Sequence, residues 1–168
     1  METLKWIDRI IEQGLLCKTY ISKVLRANSK KQLFEICADA NGVSFLCEMR
    51  EKGYPLDYSI IKKEFGNYIN GAYKPFYGEK ENGYNSSIYC DYNYPNEITL
   101  DTTCTCLLNC NTTIRIPRGM CGHIFIDGNC NLEIDNEDMI GKIYVNVWGD
   151  AKVKVLCDND NVLIRYRK

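Results

Sequence analysis

The chain has 168 residues, and its 21 Lys and Arg against 22 Asp and Glu give a net charge of −1. A chain of this length can bury the core of one domain or of two small ones. Sequence-independent binding to nucleic acid needs an excess of basic residues, so the balanced charge argues against it.

Residues 1–71 carry apolar side chains at helical spacing and are predicted to form a domain of five short helices. Ser29 followed by Gln32 has the pattern of a capping box, which places the start of one helix there. Asn41-Gly42 is predicted to stop a helix or to make a tight turn, because glycine readily adopts the left-handed conformation that ends helices.

Residues 72–85 form a junction that is rich in tyrosine and glycine. Its aromatic residues are Tyr73, Phe76, Tyr77 and Tyr84. Tyrosine-rich loops can bind ligands, since tyrosine offers contact area and a hydrogen bond at low entropic cost. The interpretation that we favour is that these rings seal the junction between the helical domain and the segment that follows.

Residues 86–168 contain a repeat of short alternating strands. The aliphatic pairs Ile124/Ile126, Ile143/Val145 and Val162/Ile164 follow one another at a step of 19 residues, and Cys90, Cys110 and Cys130 recur at a step of 20. Two short strands per step are typical of a β-solenoid. The sequence therefore predicts an α+β fold, with an N-terminal helical domain followed by a short, β-helix-like solenoid of four to five rungs.

One apolar stripe is predicted on the outside of this solenoid. If the aliphatic pairs point inward, the residues between them point outward. This outward set is Cys106, Phe125, Tyr144 and Leu163, stacked rung on rung. A contiguous apolar stripe usually marks a contact, so we expect it to be covered by the helical domain, by a second copy of the chain or by a foreign partner.

The sequence has ten cysteines, no Cys-x-x-Cys pair and one histidine, His123. This pattern does not support a zinc site, and we predict neither a metal nor a cofactor. The chain also lacks an 18-residue apolar span and a leader pattern. We therefore expect no membrane association, a cytoplasmic location where the protein is made, and free thiols that act as small buried apolar groups.

No catalytic set is recognisable, and we predict that the chain is not an enzyme. It has no phosphate-binding glycine loop and no nucleophile with an adjacent base. Turn residues suggest one alternative, because paired carboxylates in a β-helix can cleave or bind glycans. They are Asp127, Asn136, Asp138, Asp150, Asp158 and Asp160. Asp and Asn are, however, also the residues that turns require.

The runs Lys31–Gly42, Phe45–Glu48 and Glu64–Gly71 resemble those of small uncharacterised proteins of gut Bacteroidales phages and mobile elements, which combine a helical part with a β-repeat tail. This resemblance implies a phage or prophage accessory protein in the cytoplasm of an infected bacterium. It implies no catalytic residues.

The leading hypothesis is a protein-interaction module without enzymatic activity that binds a host or phage protein. The first alternative is a structural virion component, such as a fibre or decoration protein, that forms a homo-oligomer. The second is the glycan-directed β-helix. The uncapped last strand, Val162–Lys168, leaves an open edge that invites pairing with another chain, unless its terminal charges prevent this.

Overall fold

The computed structural model describes residues 5–54, 56–69, 71–73, 86–93, 95–137, 140–157 and 160–167. Five helices lie in these ranges. They are α1 (Lys5–Glu12), α2 (Lys18–Arg26), α3 (Lys30–Ala38), α4 (Ala40–Glu51) and α5 (Tyr58–Phe65). Their order agrees with the predicted helical N-terminal region.

Side-chain caps place the starts of three of these helices. Ser29 accepts a hydrogen bond from the Gln32 N–H at 3.2 Å at the start of α3, as the capping-box pattern predicts. Asp57 caps α5 in the same way. The prediction that Asn41-Gly42 ends a helix is wrong, because Asp39 accepts the Gly42 N–H at 2.6 Å and caps α4.

Glycine is needed at position 42 for a reason other than a helix stop. A Cβ atom there would lie 2.5 Å from the carbonyl oxygen of Ile36, closer than real Cβ atoms approach backbone. Gly42 therefore permits the abrupt change of direction between α3 and α4. The two helices follow each other with only Asp39 between them.

The described residues contain ten strands. They are β1 (Gly71–Tyr73), β2 (Ser86–Cys90), β3 (Ile98–Thr99), β4 (Cys104–Leu108), β5 (Asn111–Arg115), β6 (Gly122–Asp127), β7 (Asn131–Asp135), β8 (Ile143–Val147), β9 (Lys152–Val155) and β10 (Val162–Tyr166). Strands β2, β4, β6, β8 and β10 run parallel in one sheet, with β1 antiparallel on its first edge. Strands β3, β5, β7 and β9 form a second parallel sheet. The predicted combination of a helical region with a β-solenoid is confirmed.

The pairing register departs from the constant step that the repeat suggested. His123 lies opposite Tyr144, which makes that rung 21 residues long, whereas Cys104 lies opposite His123 and Tyr144 opposite Leu163 at steps of 19. The strand segments keep their length, so the added residues fall in the turns. A turn can absorb an insertion without moving a side chain to the other face of the sheet.

The interior of the solenoid is lined by the aliphatic residues that were predicted to point inward. Ile124, Ile126, Ile143 and Val145 are fully buried and belong to one hydrophobic cluster. The second sheet contributes Ile114, Leu132 and Ile134 from its facing side. Parallel sheets are stable when both faces are covered, and here the inner faces of the two sheets cover each other.

The helices cover part of the outer face of the six-stranded sheet. Phe34 of α3, Val43 of α4 and Phe65 of α5 share a hydrophobic cluster with Cys104 and Phe125 of the sheet. The Ser86 hydroxyl also donates to the Ala38 carbonyl at 2.5 Å. Helices α1 and α2 lie further out, with Ile7 and Val24 packed around Leu33 of α3. The helical layer therefore lies against the sheet at its early strands.

Candidate interaction surfaces

Two rows of side chains on the outer face of the six-stranded sheet, set by the parallel register, contain the residues of the predicted stripe. The first row is Ser86, Cys104, His123, Tyr144 and Leu163. The second row is Ile88, Cys106, Phe125, Asn146 and Arg165. Each row runs from the strands under the helices to the strands that extend beyond them.

The predicted stripe of Cys106, Phe125, Tyr144 and Leu163 is therefore not one row. Cys106 and Phe125 are neighbours, but the residue opposite Phe125 on β8 is Asn146, because this rung is two residues longer than its neighbours. Phe125 is only 8 % exposed and packs against Trp148 at 6.4 Å between ring centroids. Of the three possible covers, it is the helical layer that covers this half of the stripe, Cys106 and Phe125.

The other half of the predicted stripe, Tyr144 and Leu163, lies at the edge of the area that the helical layer covers. Tyr144 is half-buried and stacks on the exposed His123, with ring centroids 5.2 Å apart and planes at 20°. Leu163 is opposite Tyr144 and is 36 % exposed. Tyr144 and Leu163 thus remain candidates for contact with another molecule, with His123 added to them by the register.

Two carboxylates at the C-terminal ends of β2 and β6 hold α4 and α5 against the solenoid. Asp127 is buried, accepts the Tyr58 N–H at 2.6 Å and forms an ion pair with Arg50. Asp91 accepts the Tyr58 hydroxyl at 2.8 Å and pairs with Lys62. Tyr58 therefore bridges the two carboxylates through its backbone and its side chain.

The pKa values follow from these contacts. Partial burial raises the pKa of Asp91, but hydrogen bonds from Lys62, Asn109 and Tyr58 outweigh it and lower the pKa from 3.8 to about 2. Burial, together with the hydrogen bond to Asp91, raises the pKa of the Tyr58 hydroxyl to about 12. At neutral pH, Asp91 is a carboxylate and Tyr58 is a neutral donor, which is the pair of states that the contact requires.

The turns at this corner share a left-handed residue on successive rungs. Asp91 and Asn109 have φ values of 53° and 55°, and Gly128 and Gly149 have values of 81° and 71°. Asp, Asn and Gly are the residues that adopt this conformation at the lowest cost. The Asp91 N–H donates to the Leu108 carbonyl, and the Asn109 N–H to the Asp127 carbonyl, both at 2.9 Å. These turn residues therefore take part in the backbone hydrogen bonds that connect successive rungs.

Several thiols lie between the helices and the sheet. Cys37, Cys47 and Cys106 line an apolar cavity of about 50 Å³. Burial raises the pKa of Cys37 to about 12 and moves those of Cys47 and Cys106 well above 9.0. These thiols stay protonated at neutral pH and are poor nucleophiles. The cavity has room for a few water-sized molecules and is too small for a metabolite.

The step of 20 residues between Cys90, Cys110 and Cys130 predicts that all three stack on successive rungs, but only two of them do. Cys110 and Cys130 are buried in the solenoid interior, and the Cys110 N–H lies 3.1 Å from the Cys130 sulfur. Cys90 instead pairs in register with Leu108 and belongs to the cluster under the helices. All three are free thiols.

The last rung is the least covered part of the solenoid. We call the β9 and β10 strands, Lys152–Val155 and Val162–Tyr166, the open end. Its inward residues Val153, Val155, Val162 and Ile164 are only half-buried, whereas the equivalent residues of inner rungs are fully buried. Strands β9 and β10 are the last in their sheets, and no strand of the described residues lies beyond them.

Exposed large apolar side chains concentrate at this end. Leu163 and Tyr166, at 36 % and 63 % exposure, lie in β10, and Leu156, at 44 %, directly follows β9. The two others found in the described residues are Leu25 in α2 and Ile140 before β8. The open end was anticipated from the sequence as an uncapped strand, but its exposed Leu156 and Tyr166 were missed. Apart from their position in the last repeat, nothing in the sequence marks these two residues as exposed.

The junction aromatics Phe76, Tyr77 and Tyr84 lie outside the described residues, so their predicted role stays a prediction. For Tyr73 the structure gives the backbone, which pairs with Ile88 as part of β1. Among the described residues there is no group of three or more His, Cys, Asp or Glu side chains that could hold a metal ion. No helix in the same part of the chain has the length and apolarity needed to cross a lipid bilayer.

The chain was also compared with known proteins. No family model, no curated protein and no solved structure matches it.

Proposed function

We propose that this protein is an interaction module without enzymatic activity, and that it binds another protein at the open end of its solenoid. The observation that carries the proposal is the exposure of core-type side chains on the last rung. Val162 and Ile164 align with the fully buried Ile143 and Val145, yet they are only half-buried. Exposed apolar surface of this kind is typical of a contact site.

The rest of the molecule supports the same assignment. The buried carboxylate Asp127 is held by Arg50 and the Tyr58 backbone, so it is engaged in joining the helices to the sheet. The thiols in the helix–sheet layer have raised pKa values and are poor nucleophiles. On the resemblance noted in the sequence, we propose that this module is an accessory protein of a phage or mobile element.

A homo-oligomeric virion component is the second candidate, because an uncapped sheet edge can pair with a copy of itself. The Tyr144 and Leu163 side chains beside that edge would add apolar contact to such an assembly. The two candidates differ in the identity of the molecule at the open end, which one experiment can report.

The experiment places a photo-crosslinking amino acid at Tyr166 of the full chain. A matched control carries it at Leu25, which is similarly exposed but lies on α2. Both proteins are illuminated in a lysate of the organism that encodes the chain. We expect a discrete crosslink to one foreign protein from position 166 and none from position 25. A crosslink only to the chain itself would favour the homo-oligomer, and equal labelling at both positions would contradict the proposal.

A further inference from the structure

We propose that the open end receives an acidic extended strand of the partner protein, which adds to the free edge of β10. This inference rests on the proposed function and specifies the chemistry of the partner. It combines three observations: the direction of the β10 backbone groups, the alternation of its side chains and the charge of the last two strands.

The outer edge of β10 carries backbone hydrogen-bonding groups with which no strand of the described residues pairs. The Arg167 N–H donates to the Val147 carbonyl at 2.7 Å, and the Ile143 N–H donates to the Asn161 carbonyl at 2.9 Å. Odd-numbered residues here therefore point their backbone groups toward β8. Because these groups alternate along a strand, the N–H and C=O groups of Val162, Ile164 and Tyr166 point away from β8, where a further strand would pair.

The side chains of β10 divide by face in the same way. Val162 and Ile164 lie against the solenoid interior and are half-buried. Leu163 and Arg165 project to the outer face and are exposed. Since side chains of paired strands lie over the same faces, an added strand must alternate. We expect apolar side chains on the face of the added strand that extends the interior. On its other face we expect side chains that complement Arg165.

The charged residues within the two strands of this end are all basic, and the exposed Asp160 lies in the turn that joins them. Strands β9 and β10 contain Lys152, Lys154 and Arg165, they contain no acidic residue, and Arg167 follows directly. Lys154 and Arg167 already pair with Glu133 and Glu51. Arg165 is exposed and forms no ion pair with any described residue. The exposed edge thus has a cation available, which favours carboxylates on the incoming strand.

The same charge argues against a second copy as the occupant. When two β10 strands pair antiparallel over their full length, Ile164 of one copy lies opposite Ile164 of the other, and the two Arg165 side chains become diagonal neighbours. Like charges at these positions destabilise strand pairing. Basic residues on an edge strand are a known protection against self-pairing. An acidic strand converts the same repulsion into attraction.

The probe is a labelled, end-blocked peptide of sequence Val-Glu-Val-Glu-Val-Glu, titrated with the full chain and followed by fluorescence anisotropy. Two control peptides keep the length. Val-Val-Val-Glu-Glu-Glu has the same composition without alternation, and Val-Lys-Val-Lys-Val-Lys has the alternation with the opposite charge. We expect the alternating acidic peptide to bind at least about tenfold more tightly than either control. Equal binding of the alternating and block acidic peptides would show non-specific attraction of polyanions and overturn the inference.

Two variants test the two halves of the contact. Ile164→Pro removes an outward N–H without removing a hydrogen bond to β8, and Arg165→Glu reverses the available charge. Each should weaken peptide binding about tenfold. Lys63→Glu, an equal change of charge on the exposed side of α5, should have no effect. Should Ile164→Pro fail to fold, as judged by circular dichroism, Arg165→Glu still decides the charge complementarity. Unchanged binding to a folded variant of either kind overturns the inference.

Light scattering at two concentrations completes the test. A dimer of the free chain that Arg165→Glu or Ile164→Pro dissociates would identify a second copy as the occupant and overturn the inference. The crosslinking result separates the two proposals. A foreign crosslink at Tyr166 without peptide binding refutes the acidic strand alone, whereas the absence of that crosslink refutes the proposed function.

Discussion

The left-handed corner of the solenoid gives the sharpest prediction about stability, at Gly149. This residue has a φ of 71°, and a Cβ atom there would lie 3.0 Å from both the nitrogen and the oxygen of Gly128 on the preceding rung. Both atoms are backbone, so neither can move away without shifting the neighbouring turn. Gly149→Ala should therefore destabilise the fold in two ways, through the left-handed conformation of its backbone and through the close contact of the new Cβ atom with Gly128.

The control for the conformation alone is Gly119→Ala. Gly119 has a φ of 78°, and a Cβ atom there has nothing within 4 Å. A left-handed alanine costs about 1–2 kcal/mol, partly offset by about 0.4–1 kcal/mol from the lower entropy of the unfolded chain. Gly119→Ala should thus lower the free energy of unfolding by about 1 kcal/mol. Overpacking adds about 1–3 kcal/mol, so Gly149→Ala should lower it by about 2–4 kcal/mol.

The measurement is the free energy of unfolding from urea titrations of both variants and the parent, followed by circular dichroism and extrapolated linearly. Because Gly119 and Gly149 have nearly the same φ, the difference between the free energies of unfolding of the two variants reports the close contact at position 149 alone. Equal destabilisation by the two substitutions would refute the reasoning that a close backbone approach between rungs fixes glycine at this corner.

The remaining predictions concern the helix–sheet layer. Phe125→Ala should lower the free energy of unfolding by about 3–5 kcal/mol, because the ring is buried under the helices. Tyr144→Ala, at the half-exposed edge, should lower it by about 1 kcal/mol, and urea titrations giving the reverse order would contradict the assigned cover. Asp91 has a lower pKa in the folded chain, so its carboxylate adds stability above pH 3.8, and this is lost as the pH falls through about 2. The group is one-third exposed, so we expect no more than about 1 kcal/mol. That loss should be missing from Asp91→Asn in unfolding measurements between neutral pH and pH 2.

The architecture could be predicted because the strands of the repeat obey a strict alternation. Ile124 and Ile126 had to face the same side, and both are fully buried in the interior. Their position followed from the two-residue period of a strand alone. The capping box at Ser29 was equally local, because its atoms lie within four residues.

Features that depend on turn length or on distant contacts could not be predicted in the same way. A fixed step of 19 residues aligned Phe125 with Tyr144, whereas the turns around β7 hold two additional residues and bring Asn146 opposite Phe125. Asn41-Gly42 has the composition of a helix stop, but Asp39 caps a helix there and Gly42 fits against Ile36. Tertiary packing decides which part of a protein covers Phe125, and a local sequence pattern carries no information about that packing.

The same packing gives the molecule a polarity along its axis. Rungs of a solenoid are stabilised chiefly by their immediate neighbours, and the early strands have the helical layer as an additional neighbour on their outer face. Within the described part of the chain, the last rung has a neighbouring rung on one side only. Local opening should therefore begin at β10 and progress toward β2, so the strand that is free to pair with another molecule is also the one that is easiest to detach from its own.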